Sequence, residues 1–177
     1  RKNVSQTNGC MDQPLHVLLD AACTQRDASR ELIDALAAVQ NVDVNEAEAW
    51  ADQLRKEVAS PQSDRRIQVM ALVGFVCLAN APLAMGLVDA SLFDMLASLT
   101  NASSNEIETC AMAHLLSEGA SHTALRSKLA TRPSIEHWLS AHAQSSLTDE
   151  RVQVCLDLVR IKFAIGTNTV SYTHLTL

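Results

Sequence analysis

The sequence predicts an all-α fold, an α-solenoid in which three-helix repeats stack into a right-handed superhelix over residues 12–166. Three observations predict it. Helix boundary signals recur along the chain, and no alternating strand pattern with hairpin signals occurs before residue 167. Three long apolar stretches also align with one another without gaps: RIQVMALVGFVCLA from Arg66, EIETCAMAHLLSEG from Glu106 and RVQVCLDLVRIKFA from Arg151, at offsets of 40 and 45 residues.

Each helix carries its own signal. Residues 1–11 are expected to be disordered. Pro14 suits the first turn of a helix running to about Thr24, and Asp27 or Ser29 is placed to cap the next, ASRELIDALAAVQ. Asn45 precedes EAEAWADQLRKEVA, an amphipathic helix with Trp50 and Leu54 on one face. SPQSD at 60–64 breaks it, and Ser63 or Asp64 caps the strongly apolar RRIQVMALVGFVCLA. Pro82 begins a short helix, Ser91 starts SLFDMLASL, and Ser104 caps NEIETCAMAHLLSE. Ser121, Ser134 and Thr148 read as three further N-caps, the last followed by Asp149 and Glu150, where a helix dipole favours acid.

In the alignment Ile67, Ile107 and Val152 correspond, as do Met70, Cys110 and Cys155, then Ala71, Ala111 and Leu156. A short and a medium helix lie between successive long ones. A helix that is apolar nearly all round must be covered on several sides, and stacked repeats supply that cover. The period and the three helices per unit fit armadillo-type repeats. Ile67, Met70, Phe75, Ile107, Cys110, Leu115, Val152 and Cys155 are therefore expected to be buried. Ile135, Trp138 and Leu139 fall at i, i+3 and i+4, so Trp138 and Leu139 are expected to pack inward against the long final helix.

Composition sets the bounds on function. At 177 residues the chain is long enough for one domain with a sizeable core. It is 47% hydrophobic but 3% aromatic, with five Gly and four Pro, which suits helix more than sheet. A net charge of −6 argues against a general nucleic-acid binder, which needs clustered Lys and Arg. Ile67 to Val88 carries no charge and reaches the ~20 apolar residues of a membrane span, but Asn80-Ala81-Pro82 divides it. Two buried helices and a turn are the expectation, with no membrane partner. Five widely spaced cysteines, an odd number, read as reduced thiols of a cytoplasmic protein. The opening RKNVSQTNG has neither an initiator Met nor a signal-peptide pattern, and the chain is expected to be a fragment.

Five elements carry a more specific resemblance: Leu115-Leu116-Ser117 at a helix end, Ala124-Leu125-Arg126, Trp138-Leu139, the charged turn Asp149-Glu150-Arg151, and Lys162-Phe163. Together with MALVGFVCLANAPLAMGLVDASLFDMLASL, they make residues 64–165 similar to the armadillo-like central region of the UCS family of myosin-directed chaperones. The resemblance implies a non-enzymatic cochaperone segment, a rigid neck assisting myosin folding and assembly. The myosin motor domain or a heat-shock chaperone would then be contacted through parts outside this chain. Its motifs are mostly packing residues, so no binding residue is carried over. The second reading is another armadillo scaffold that takes a peptide or partner helix in its own concave groove. By the armadillo resemblance that groove is lined by positions four apart on the third helices: Val73 and Cys77, Ala113 and Ser117, Leu158 and Lys162. The Trp and Asn by which nuclear-import receptors grip basic peptides are not among them.

Other chemistry reads more simply. Cys110 and His114 stand four apart, as metal ligands can, with Cys155 on the adjacent repeat. Structural zinc takes four ligands, however, and no CxxC or HxxxH occurs, so packed thiols and a core histidine are the expectation. His137 and His142 bracket Trp138 on different faces without a nucleophile, and Glu46, Glu48, Glu106 and Glu108 sit in first helical turns, where solvated acids belong. No catalytic residue and no cofactor is expected. Residues 167–177 are expected to be an unstructured tail. Of these, Val170–Leu177, VSYTHLTL, are the translation of GTC TCT TAT ACA CAT CTG ACG CTG, which resembles a transposase adapter used in sequencing-library preparation. The eight residues are expected to pack on nothing.

Overall fold

The computed structural model describes residues 37–59, 63–103, 105–142 and 150–167, with the backbone alone at residues 63, 151 and 165–167. A helix end at 37–40 and a 3-10 turn, Val44–Glu46, lead into α1 (Ala47–Val58), α2 (Ser63–Ala79), α3 (Ala81–Asp89) and α4 (Leu92–Asn101). After these come α5 (Glu106–Gly119), α6 (Thr123–Ala130), α7 (Pro133–Ala141) and α8 (Glu150–Thr167). No strand occurs among the described residues, as expected. The expected helix at residues 14–24, residues 28–36 of the expected helix ASRELIDALAAVQ, the disorder of 1–11, and the tail from residue 168 with its adapter-like end lie outside the described residues; residues 37–40 of that second helix are helical. Thr167 closes α8, one residue past the expected end of the helical region.

The helices pack in rows. The long α2 lies on α5 and α5 on α8, the two most extensive contacts in the molecule. The medium helices form a second row, α1 on α4 and α4 on α7, and the short α3 lies on α6. Between the rows runs one continuous core, whose largest members include Trp50, Met70, Phe93, Met112, Leu116 and Trp138.

Asn80 explains why the uncharged stretch from Ile67 to Val88 is two helices. Its Oδ1 accepts from the Leu83 N–H at 3.1 Å and caps α3, while its Nδ2 donates to the Val39 and Val42 carbonyls at 2.9 and 3.0 Å. Pro82 in the first turn of α3 lacks only an N–H that has no intrahelical partner anyway. Among the described residues no single helix is long and apolar enough to cross a membrane. The pair α3 and α4 passes on length and composition together, but is bent by 69°. That bend falls at Ser91, whose φ of 61° lies in the left-handed region.

The other caps differ from expectation in an instructive way. Asp43 caps the first turn, its carboxylate accepting from the Asn45 N–H at 2.9 Å, so Asn45 is inside the turn and α1 starts at Ala47. Asn105, not Ser104, caps α5 by accepting from the Ile107 N–H at 2.9 Å; Ser104 itself lies outside the described residues, as does Thr148. Ser121 donates to the Ser117 carbonyl, and Ser134 donates to the Asp94 carboxylate across the α4–α7 contact. Those two hydroxyls hold helices to their surroundings, leaving His122 and Arg132 at the cap positions without a side-chain cap bond. The C-terminal end of α3 is held by cations, as its dipole favours. Arg132 donates to the Val88 carbonyl at 2.9 Å and Arg55 to that of Ala90.

Burial follows the expected pattern at Met70, Leu115 and Val152, while Ile67, Phe75, Cys110 and Cys155 are half-buried against the core. Ile107 departs from it, with 64% of its surface exposed. On α2 and α5 the buried positions recur at offset 40, pairing Val69 with Thr109, Leu72 with Met112 and Val76 with Leu116. On α5 and α8 they recur at offset 43, pairing Thr109 with Val152, Leu116 with Val159 and Ala120 with Phe163. The gap-free offset of 45 therefore matched Ile107, which is exposed, with Val152, which is buried. Trp138 is fully buried and Leu139 half-buried, but α7 rests mainly on α4. Toward α8, Ile135 and Leu139 line a cavity of about 240 Å³ with Phe163, and Arg160 donates to the carbonyl of His142 at the end of α7.

Candidate functional site

The predicted groove ladder is out of phase with the surface. Val73, Cys77 and Ala113 are fully buried, so no partner in a groove can touch them. Burial, with the Glu118 carboxylate adding to it, pushes the Cys77 thiol up to about 12, which keeps it protonated and unreactive. Ser117 and Lys162 face each other: the ammonium donates to the Ser117 carbonyl and Oγ at 2.9 and 2.8 Å and to Ser121 Oγ at 3.1 Å, joining α5 to α8. Of the six, Leu158 alone is exposed, at 49%. The reason is legible in α2: apolar residues occupy nearly its whole circumference, so a spacing of four picks out a stripe without saying which side it faces.

The surface of the long helices is apolar all the same. Leu78 on α2, Ile107 on α5, and Val154, Leu158 and Ile161 on α8 are each about half exposed or more. On α8 the three fall at i, i+4 and i+7, on the side away from the buried Val152, Leu156, Val159 and Phe163. Between α2 and α5 this face sinks into a groove of about 460 Å³, with Phe75 and Leu78 on one wall and Ile107 and Ala111 on the other. Gly74 and Leu115 also line it.

Along the same face, Cys110, His114 and Cys155 come together although sequence reasoning set them apart as packing residues. Cys155 Sγ is 3.7 Å from Cys110 Sγ and 3.3 Å from His114 Nε2, and the three ligand atoms all lie within 4.8 Å of one another. The thiols are half-buried and the imidazole is exposed. Spacing on α5 signalled two of the three and the repeat alignment pointed to the third; the stacking of α8 on α5 brings it within reach.

The acids and histidines divide. Glu48 is solvated beside Arg55, as expected of a first turn. Glu108 is not: its side chain has no exposed surface and accepts from Arg66 of α2. His137 is exposed, and His142 stacks on Trp138 with ring centroids 4.4 Å apart. No protein-family profile, curated protein or solved structure matches the chain.

Proposed function

We propose that the chain is a non-enzymatic helical scaffold of armadillo type, and that it holds a protein partner on the solvent face of its three long helices. The observation that carries this reading is the apolar face itself, formed by Leu78, Ile107, Val154, Leu158 and Ile161 beside the groove between α2 and α5. Supporting the solenoid are the serial contacts α2–α5–α8 and α1–α4–α7 and the recurrence of burial at offsets of 40 and 43. A face of aliphatic side chains suits an amphipathic helix or an unfolded apolar segment, laid in at i, i+3, i+4 and i+7 anchors. It does not suit an acid-gripping or phosphate-gripping role.

The resemblance of residues 64–165 to UCS cochaperones, which implies myosin contact through parts outside this chain, is the reason to try a myosin motor domain or its folding intermediate, in the cytoplasm, as the partner of this face too. Under a strict neck reading the stack would only hold a spacing, and myosin would be met elsewhere. The exposed face favours direct contact, because a pure spacer gains nothing from leaving five aliphatic side chains in water.

The test is suppression of heat-induced aggregation of a myosin motor domain, followed by light scattering with the chain added at increasing ratio. Protection by the wild-type chain that is lost in Leu78→Asp/Ile107→Asp/Leu158→Asp supports contact through this face. Equal protection by both sinks it. No protection by either leaves the neck reading in its place.

A further inference from the structure

We propose that Cys110, His114 and Cys155 form a zinc-binding site, with two thiolates and one imidazole as ligands and the fourth coordination position open to the groove. The distances match the ion. Tetrahedral zinc with Zn–S of about 2.3 Å and Zn–N of about 2.0–2.1 Å holds two sulfurs roughly 3.8 Å apart, and a sulfur and a nitrogen roughly 3.5 Å apart. The observed separations are 3.7 Å between the sulfurs and 3.3 Å between Cys155 Sγ and His114 Nε2. The remaining edge, from Cys110 to His114, is no longer than 4.8 Å, and rotation of the exposed imidazole closes it.

The scaffold presents these ligands without being built around them. Cys110 and His114 share one side of α5 at i and i+4, and Cys155 comes from α8. The two helices are already fixed by their buried core residues and by Lys162, which bonds Ser117 and Ser121 one to three turns further along. Two thiolates and one divalent cation leave the half-buried site neutral, and the two thiol protons pass to solvent on binding. Sulfur and imidazole donors select zinc over magnesium or calcium, which take oxygen. An entry path exists, because Cys110 and His114 also line the groove between α2 and α5. The ion would tie α5 to α8, and its free position would accept a water or a donor atom brought by whatever occupies the groove. The assignment stands whether or not the groove binds myosin.

The experiment uses the reduced full chain and Co²⁺ alone as a spectroscopic stand-in. One equivalent is expected to bind with thiolate-to-cobalt charge-transfer absorption and the visible bands of a four-coordinate ion, and Zn²⁺ should displace it and raise the thermal midpoint. Cys110→Ser and Cys155→Ser should each release the ion and abolish the charge-transfer absorption, while Cys77→Ser and Cys10→Ser/Cys23→Ser keep the full spectrum. His114→Asn, at an exposed position that leaves the fold intact, should weaken binding by more than the roughly tenfold that loss of an outer-sphere partner costs. Circular dichroism of each variant separates a lost ligand from a lost fold. Absence of a one-equivalent complex overturns the proposal. So does a cobalt spectrum that survives Cys110→Ser or Cys155→Ser, or affinity unchanged in His114→Asn. Isolation of a Cys110–Cys155 disulfide that reductant does not open would equally overturn it, the sulfurs then having closed to about 2.05 Å.

Discussion

Arg66 of α2 donates through Nε and Nη2 to one carboxylate oxygen of Glu108 on α5, at 2.9 and 2.5 Å, and the Glu108 side chain has no surface exposed to water. The pair lies in the largest helix–helix contact of the molecule, near the start of both helices. A charge this deep is held by its partner; without it, the carboxylate keeps its desolvation cost and loses the compensating attraction.

Arg66→Met is therefore expected to destabilise the chain by about 3–5 kcal/mol, the range for breaking one side of a buried pair. Replacing both partners, as Arg66→Met/Glu108→Leu, should recover most of that loss, since a well-packed apolar pair of similar volume is often neutral or better. Urea unfolding of the two single variants and the double variant measures the coupling. Additive losses would show that the two side chains do not act as a pair.

Trp138 is fully buried between α7 and its neighbours, with His142 stacked on its ring. Trp138→Ala removes the largest side chain of α7 and should cost about 3–5 kcal/mol. For a chain of this size that corresponds to a fall of roughly 6–20 °C in thermal midpoint. An unchanged midpoint by calorimetry would remove Trp138 from the core.

Asn80 serves three backbone groups at once, and each is left without this partner in Asn80→Ala. Loss of the cap on α3 costs about 1 kcal/mol. The Val39 carbonyl faces a buried contact, where an unmet acceptor costs about 1–3 kcal/mol more. The expected total, about 2–4 kcal/mol, exceeds that of any ordinary cap. Asn80→Asp keeps the cap acceptor but turns a carboxylate oxygen toward the Val39 and Val42 carbonyls, so it should be no more stable than Asn80→Ala in chemical denaturation.

The all-helical fold was legible because caps, composition and the lack of strand alternation all agreed. The burial of Trp138 and Met70 was legible from periodicity. The orientation of the long helices was not. Val73 and Leu78 look alike in a helix that is apolar on every side, yet one is buried and the other 52% exposed. Ile107 and Val152 aligned as equivalents, and the first is exposed and the second buried. Which side of such a helix meets water is decided by its neighbours, not by its own residues. Glu108 shows the same limit for charge: its place in a first turn suggests solvent, and only the approach of Arg66 from α2 explains its burial. Cys155 joined Cys110 and His114 through that stacking too.

Gly86 sets two effects of opposite sign against each other. In an exposed helix interior, Gly→Ala gains about 1 kcal/mol. Here an added Cβ would overlap the Cβ of Ala47 at the start of α1, and neither belongs to a flexible side chain that could swing aside. Overpacking of a fixed contact costs about 1–3 kcal/mol, so Gly86→Ala is expected to destabilise on balance. Pairing it with Ala47→Gly should relieve the overlap and restore stability in a thermal melt. Greater stability in the single variant would mean that α1 and α3 can move apart at no cost.

The apolar face predicts behaviour in the absence of any partner. Leu78, Ile107 and Leu158 already meet water in the folded chain, so aspartate at these positions removes little packing. Stability should stay within about 0.5 kcal/mol of wild type at each site, as for surface substitutions generally. Association should change far more. Wild-type chains can bury Leu78, Ile107 and Leu158 against one another, and light scattering is expected to show mass growing with concentration. In Leu78→Asp/Ile107→Asp/Leu158→Asp, three added charges of one sign on one face, on a chain already at −6, repel such contacts. The variant should remain monomeric at concentrations where the wild type does not. A wild-type chain that is monomeric throughout would show that this face is not exposed as an adhesive surface, and a variant that associates as strongly would place the contact elsewhere.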